Sequence, residues 1–317
     1  MSLIALDLGG TKLASAVFSE EGDILFAEKQ ALDKRTGEQV GQMIKRQVQK
    51  LSRKYDGTAT PVQAIGVSVP GISYHASGTV WAPNIGGWTE YPLLQELRSV
   101  APGMPIIIDS DRACSILGEA WKGAAQACTD AIFIAVGTGI GAGILTGGKI
   151  LRGAHDIAGC IGWMALERPY RDHFKDCGCF ESSASGEGIP KLTRSLLKEE
   201  VDYRGRLKNI DPGVLTASDV FMAFEEGDEL AKKILQVCVE LWGMAAANLI
   251  SLFNPQKIIF GGGIFGPAAS LLPGIRAEAV KWAQPVGMQT VGIEASRLGS
   301  QACLYGAALL ALQNKNR

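Results

Sequence analysis

The sequence repeats a strand–turn–strand pattern, and this repeat limits the possible folds more than any other feature. Residues 3–25 (LIALDLGGTKLASAVFSEEGDIL) and residues 131–151 (AIFIAVGTGIGAGILTGGKIL) share the same order: an apolar strand, a Gly/Thr turn, a second apolar strand, a turn and a third strand. The second copy has no counterpart of Asp7 or Lys12 in the first. We therefore predict two similar α/β domains, each opening with this hairpin.

Strands and helices alternate through the rest of the chain. Helical spacing of apolar residues appears at 40–55 and in the long stretch 229–253, and buried strands are predicted at 63–69, where Pro70 ends the strand, at 105–110 and at 257–260. No Pro/Ser-rich linker divides the chain, so we place the boundary in the helix after Asp111. The predicted domains are residues 1–115, joined by the C-terminal helix 301–317, and residues 116–300.

The charge and cysteine content exclude several classes of function. Lys and Arg total 31 against 32 Asp and Glu, so the net charge of -1 predicts no nucleic-acid or membrane partner. No uncharged apolar run approaches the roughly 20 residues of a membrane helix, and Asp7 and Lys12 interrupt any leader-like segment. Seven cysteines, an odd number, favour reduced thiols and a cytoplasmic location.

Glycine-rich turns follow three predicted strands. Turn glycines let backbone N–H groups approach an anion closely, so together the turns predict a clamp for nucleotide phosphates, although each alone is also typical of a tight turn. The first turn precedes a strand rather than a helix, which excludes a Rossmann or Walker loop. The turns are Gly9-Gly10-Thr11, Gly137-Thr138-Gly139 and Gly261-Gly262-Gly263.

Three charged residues suggest the chemistry. Asp7 is placed to hold Mg²⁺, through water, beside bound phosphates. Lys12 would neutralise phosphate charge, or would simply be a solvated lysine at a strand end. Asp111 follows the strand PIII and precedes RACSILGE, where a carboxylate can take a proton from an attacking hydroxyl. The same position also suits a helix N-cap.

Motifs along nearly the whole chain resemble those of the ROK family (repressors, open reading frames and kinases). The resemblance implies two actin-like (ribonuclease H-like) α/β domains with a central cleft, and an ATP- and Mg²⁺-dependent sugar kinase. The motifs are DLGGTK, SVPG, APNIGGW, DSDRACSILGE, GTGIGAG, GAHDIAGCIGW, CGCFESSASG, IIFGGG and YGAALLAL.

The resemblance also implies roles for individual residues. Asp111 matches the general base that deprotonates a sugar hydroxyl, which we expect to be the one on C6. Positions matching the nucleotide site are Asp7, Gly9, Gly10, Thr11, Lys12, Gly137, Thr138, Gly139, Gly261 and Gly262. Positions matching the sugar site are Asn84, Ser110, Asp111, Cys160, Trp163 and Glu181.

The chain departs from the family pattern in the sugar and zinc motifs. Cys160 and Trp163 stand where the family has Glu and His, and Ser110 and Ala113 replace two Asn. Of the four residues that bind a structural zinc in the family, only Cys179 is retained, so we expect no zinc. An improvised site remains the alternative, formed from Cys160, Asp172, His173, Cys177 and Cys179.

Two functional hypotheses follow. The first is a kinase for a hexose or hexose derivative, acting as a homodimer or homotetramer. The second is a catalytically impaired, sugar-sensing regulatory protein, which the altered sugar motif favours and the retained Asp7, Lys12 and Asp111 oppose. A DNA-binding repressor is less favoured, because the first strand at residue 3 leaves no room for a preceding helical segment.

Overall fold

The computed structural model describes residues 1–315, which form 12 β-strands and 11 α-helices. The chain divides into two compact units. Unit 1 comprises Met1–Ala127, Ile150–Ala158 and the chain from Ser300 onward, and unit 2 comprises Cys128–Lys149 and Gly159–Gly299.

The strands and helices have the following bounds. The strands are β1 Ser2–Leu8, β2 Lys12–Ser19, β3 Ile24–Ala31, β4 Val62–Val69, β5 Ile72–Tyr74, β6 Thr79–Trp81, β7 Ile106–Ser110, β8 Ala131–Val136, β9 Ile140–Thr146, β10 Lys149–Ile150, β11 Lys257–Gly261 and β12 Gly292–Ala295. The helices are α1 Gly37–Tyr55, α2 Leu93–Val100, α3 Asp111–Lys122, α4 Phe174–Cys177, α5 Cys179–Ala184, α6 Gly188–Glu199, α7 Ala217–Glu225, α8 Glu229–Phe253, α9 Leu272–Trp282, α10 Pro285–Thr290 and α11 Ala302–Asn314.

The two main sheets have the same strand order, β3-β2-β1-β4-β7 in unit 1 and β10-β9-β8-β11-β12 in unit 2. In each, the first strand of the repeat pairs antiparallel with the second strand and parallel with a later strand, which is β4 in unit 1 and β11 in unit 2. This confirms the two similar α/β units predicted from the repeat and the actin-like fold that the family resemblance implied.

The sheet of unit 1 is covered on both faces. Ile4 and Leu6 belong to the core beneath α1, whereas Leu3 and Ala5 pack in the core that includes α11. This explains why β1 reads as a continuous apolar run rather than an alternating one. Because β1, β4 and β7 are parallel, their carboxyl ends lie at one edge of the sheet.

Two glycines let α3 and α11 approach closely. A Cβ added to Gly306 would lie 1.8 Å from the carbonyl oxygen of Cys114, and one added to Gly118 would lie 2.1 Å from that of Ala302. The sequence boundary predicted after residue 115 falls inside α3. The structure instead keeps α3 whole in unit 1, because the helix packs along α11.

Helix α8 forms much of the interior of unit 2. It is the one described helix long and apolar enough to cross a membrane, yet 67% of its most apolar window is buried. Trp242 is fully buried and donates from Nε1 to the carbonyl oxygen of Ala184 at 3.2 Å. The apolar character of α8 therefore reflects its packing in the core of unit 2.

Candidate functional site

A row of polar residues crosses the carboxyl edge of the unit 1 sheet. The strand register pairs Asp7 with Ser68 and Ser68 with Asp109 on adjacent parallel strands. Ser68 Oγ donates a hydrogen bond to Asp7 Oδ1 at 2.9 Å. Asp111 begins α3 two residues beyond the row, so unit 1 gathers three carboxylates at one sheet edge.

The pKa of Asp7 and that of Asp111 are both raised. Burial, reinforced by the negative charge of Asp111, raises the pKa of Asp7 from 3.8 to about 6, although Ser68 and Lys12 act in the opposite direction. Burial likewise raises the pKa of Asp111, despite the charge of Arg112 and its N–H bond to Asp111 Oδ1. A perturbed carboxylate pair of this kind is typical of a functional site.

The raised pKa of Asp7 predicts a measurable cost to stability. The protonated form of Asp7 stabilises the fold relative to the ionised form. This contribution is fully present below the unfolded pKa of 3.8 and is lost as pH rises through the folded pKa of about 6. Asp7→Asn keeps an acceptor for Ser68 but carries no charge. It should therefore raise the free energy of unfolding in urea at pH 8 by roughly 1–3 kcal/mol, and change it little at pH 4.

Asp56→Asn provides the matched control for this prediction. Asp56 is exposed at the end of α1, and its side chain has no hydrogen-bond or ionic partner in residues 1–315. Its replacement should leave stability unchanged at both pH values. Lower stability of Asp7→Asn at pH 8 would show that the carboxylate is a net stabilising group.

Ser110, rather than Asp111, caps α3. Ser110 Oγ accepts a hydrogen bond from the N–H of Ala113 at 3.3 Å, and Asp111 is the first helical residue. The alternative interpretation of Asp111 as the N-cap is therefore wrong, because the extended backbone of Ser110 already turns its hydroxyl toward the helix. This leaves the Asp111 carboxylate available for other chemistry.

The first glycine turn is exposed and tightly closed. The N–H of Gly9 donates to the carbonyl oxygen of Lys12 at 2.9 Å, which joins β1 to β2. Gly10, Thr11 and Lys12 are all exposed. A Cβ placed on Gly10 would meet only the Asn84 Cβ, at 3.7 Å. The turn, Asn84 and the Asp7–Asp111 pair thus belong to the same unit.

The other two glycine turns lie at neighbouring strand ends in unit 2. The N–H of Gly137 donates to the carbonyl oxygen of Gly139 at 2.9 Å, which closes the turn after β8. Gly262 has φ +91°, and an added Cβ would lie 2.4 Å from the carbonyl oxygen of Val136. Only glycine fits at position 262, so the turn after β11 lies directly against the end of β8.

Glu181 holds the turn after β8 in place. Its Oε2 accepts the N–H of Ile140 at 2.6 Å, and a Cβ on Gly139 would lie 2.6 Å from the same oxygen. Burial raises the pKa of Glu181. One carboxylate oxygen therefore has a structural partner, and the predicted contact of Glu181 with a sugar stays a prediction.

Residues 172–180 match the family's zinc motif. Cys179 is buried, Cys177 is half-buried and His173 is exposed. Within residues 1–315, no group of three or more His, Cys, Asp or Glu side chains is placed to hold a metal ion. Phe174 and Phe180 are both buried and provide apolar packing in this segment.

We expect the purified protein to contain less than stoichiometric zinc and to keep its melting temperature in a strong chelator. A structural zinc would contribute directly to folding, so its removal would lower that temperature. Elemental analysis and a thermal melt with and without chelator test this. One zinc per chain would revive the alternative site around Cys160, Cys177, Cys179 and His173.

Two polar neighbours of the Asp7–Asp111 pair were not identified from the sequence. Cys303 lies close to Asp7, and its Sγ is 3.5 Å from the carbonyl oxygen of Asp111. Ser115 Oγ donates to the same carbonyl at 2.8 Å. Cys303 reaches the site only through the packing of α11 against α3, so no local motif marks it, whereas Ser115 lies one turn after Asp111 in α3.

The family model of the ROK family matches residues 3–314. Among relatives, a glucokinase of Halalkalibacterium halodurans is 30% identical and covers 99% of this chain and 96% of its own length. A beta-glucoside kinase of Listeria monocytogenes is 28% identical, with 100% and 99% coverage.

Solved structures give similar results. A ROK glucokinase of Streptomyces griseus, in complex with glucose and AMPPNP, matches with a TM-score of 0.76 and 29% identity, covering 99% of this chain and all of its own. A ROK transcriptional regulator, homologous to the E. coli MLC protein, matches with a TM-score of 0.85 and 26% identity, covering 99% of this chain and 78% of its own.

Proposed function

Because this chain belongs to the ROK family, we propose that it is an ATP- and Mg²⁺-dependent kinase of a hexose or hexose derivative, acting at the C6 hydroxyl. The observation that carries the proposal is the unit 1 cluster: Asp7 and Asp111, both with raised pKa, beside an exposed glycine turn and Lys12. The similarity to two sugar kinases over nearly the full chain supports the same activity.

In the proposed reaction, the sugar hydroxyl attacks the γ-phosphorus of ATP. A new P–O bond forms, the bond to the β–γ bridging oxygen breaks, and ADP leaves. Asp111 accepts the hydroxyl proton and later releases it to water. Lys12 and the N–H groups of the glycine turns neutralise and position the phosphates, which is the main requirement of phosphoryl transfer.

Asp7 fits a role at Mg²⁺. Its carboxylate is partly buried and raised in pKa, and Asp111 adds a second negative charge nearby. A divalent cation would relieve this repulsion, and carboxylate oxygens are ligands that Mg²⁺ accepts, often through water. When bound, the ion would offset phosphate charge, while Ser68 orients the Asp7 carboxylate.

The proposal is tested by measuring ADP release with Mg·ATP against a panel of hexoses, aminosugars and glycosides. Sugar-dependent release, with phosphate found on C6 of the product, is the expected result. Sugar binding by calorimetry without turnover of any panel member would contradict the kinase and favour the regulatory alternative. The regulator among the structural neighbours and the altered residues Cys160 and Trp163 support that alternative.

We expect a hexose modified at C1 or C2, such as an N-acetylated aminosugar or a glycoside, to be preferred over free glucose. Cys160 and Trp163 lack the carboxylate and imidazole that recognise hydroxyls in the family, and Trp163 is 58% exposed, which offers a flat apolar face. A site that no longer hydrogen-bonds a hydroxyl loses most discrimination for it. The name of the beta-glucoside kinase relative is consistent with this expectation.

Steady-state kcat/KM across the panel tests the preference. The double variant Cys160→Glu/Trp163→His is the matched control, because it restores the family residues and should shift preference toward glucose by about tenfold or more. If glucose exceeds every C1- and C2-modified hexose in the wild type, the inference from these two positions is wrong.

A further inference from the structure

Four side chains of unit 1 form a polar network at the end of β7. Arg152 Nη2 donates to Asp109 Oδ2 at 2.5 Å, and Arg152 Nε donates to His75 Nε2 at 3.1 Å. His75 Nδ1 lies 3.0 Å from Asp156 Oδ1, and the His75 backbone N–H donates to Asp156 Oδ2 at 3.1 Å. The network joins three separate segments of the chain.

The network reaches the start of α3 through Asp109. The side chain of Asp109 is only 4% exposed, and its second oxygen, Oδ1, accepts the N–H of Ser110 at 2.8 Å. Ser110 in turn caps α3, whose first residue is Asp111. Hydrogen bonds therefore lead from Arg152 through Asp109 to Ser110, the residue that caps α3 and is joined through the backbone to Asp111.

His75 and Arg152 together favour the charged form of Asp109 despite its burial. Burial alone would raise the pKa of Asp109, but the neighbouring His75 and the positive charge of Arg152 more than offset it and lower the pKa. A buried carboxylate without such partners would rotate or protonate, and its bond to Ser110 would weaken. The guanidinium holds Oδ2 of Asp109, while the N–H of Ser110 holds Oδ1.

The backbone of Asp156 also indicates a functional constraint. Its φ is +58°, in the left-handed region that non-glycine residues seldom adopt. Such a conformation persists only where its surroundings require it. Here it directs both carboxylate oxygens of Asp156 to His75, which holds the ring against Arg152.

We propose that Arg152 is a positioning residue for the reaction: through Asp109 and Ser110 it sets the location of the Asp111 carboxylate, while His75 and Asp156 hold its guanidinium. This inference rests on the proposed function, since it requires Asp111 to accept the proton. Arg152 acts through other residues and needs no contact with the sugar or the nucleotide.

Arg152→Gln should lower kcat by roughly 10- to 100-fold, the range for a small displacement of a catalytic group, with KM for sugar and ATP within about threefold of wild type. Arg152→Lys keeps the charge and should recover part of the rate. Arg98→Gln is the control, because Arg98 is exposed on α2 with no side-chain partner in the described chain. Its kcat should be unchanged.

Two double variants test the route through Asp109 and Asp111. Adding Arg152→Gln to Asp111→Asn should lower kcat no further, and Asp109→Asn/Arg152→Gln should be no slower than its slower single variant. Hydrogen exchange supplies a readout without activity: the segment 106–115 should exchange several-fold faster in Arg152→Gln, with α1 unchanged.

The outcomes separate this inference from the proposed function. A wild-type rate for Arg152→Gln beside a severely impaired Asp111→Asn would overturn the positioning role alone. A raised sugar KM with unchanged kcat would overturn it too, since Arg152 would then bind substrate directly. If Asp111→Asn itself turned over at the wild-type rate, the general base and the positioning role would both be wrong.

Asp156→Asn provides a second test in case Arg152→Gln folds poorly. Asparagine tolerates the left-handed backbone at position 156, and this variant should show a smaller loss of kcat than Arg152→Gln.

Discussion

Replacement of Asp111 by alanine is expected to lower kcat by about 10²–10⁴-fold, the range for loss of a general base, while the affinity for Mg·ATP largely persists. Burial raises the pKa of this carboxyl, which makes it a better proton acceptor near neutral pH than an ordinary aspartate. Because a base must be deprotonated, wild-type kcat should fall as pH drops through the raised pKa, and the variant should lose this dependence. A coupled assay of ADP release on the best panel sugar measures both effects.

Two further variants make the result specific. Asp111→Asn preserves the shape of the side chain and the acceptor for the Arg112 N–H, so a similar loss of kcat assigns the effect to the carboxylate. Asp56→Asn, on the exposed end of α1, should turn over normally. Wild-type turnover by Asp111→Ala would remove this residue from the chemistry.

The fold followed closely from the hydrophobic pattern. The repeat at residues 3–25 and 131–151 predicted two equivalent hairpins, and the sheets share one strand order as a result. The long apolar helix was predicted over residues 229–253, which are its bounds in the structure. These features depend on residues close together in sequence, where apolar periodicity and turn glycines dominate.

The register of the parallel strands could not be predicted in this way. Asp7, Ser68 and Asp109 form one row only because β1, β4 and β7 align at these positions. Ser68 lies within an apolar run that reads as an ordinary buried strand. Only the register of the sheet shows that the Ser68 hydroxyl lies beside the partly buried carboxylate of Asp7.

Long-range side-chain contacts were missed for a similar reason. Arg152 and Asp109 are 43 positions apart, and His75 and Asp156 are 81 apart. No spacing rule connects residues at such separations, and a lone His in a loop carries no signal of its own. The hydrogen-bond partner of Glu181 could not be predicted from the sequence either. It is the backbone N–H of Ile140, and every residue type except proline has a backbone N–H.

Substitution of Gly10 by valine should weaken Mg·ATP binding by about 100-fold, because the branched side chain would occupy space next to the turn N–H groups. Two hydrogen bonds to charged phosphate oxygens are together worth roughly 3 kcal/mol or more, which corresponds to this factor. Gly10 suits the test because it is exposed, its φ lies outside the left-handed region and its nearest neighbour is the Asn84 Cβ at 3.7 Å. The folded protein therefore has room for the valine, whereas valine at Gly262 would collide with the Val136 carbonyl.

Titration calorimetry with Mg·ATP decides the outcome, after thermal melting has shown that Gly10→Val retains wild-type stability. Gly213→Val is the control, since Gly213 lies in an exposed loop of unit 2, its φ is outside the left-handed region and only the flexible Asp211 side chain is near. Its affinity for Mg·ATP should match the wild type. A folded Gly10→Val protein with unchanged affinity would mean that the turn after β1 does not approach the phosphates. Asp7 and Lys12, which flank the same turn, would then need another explanation.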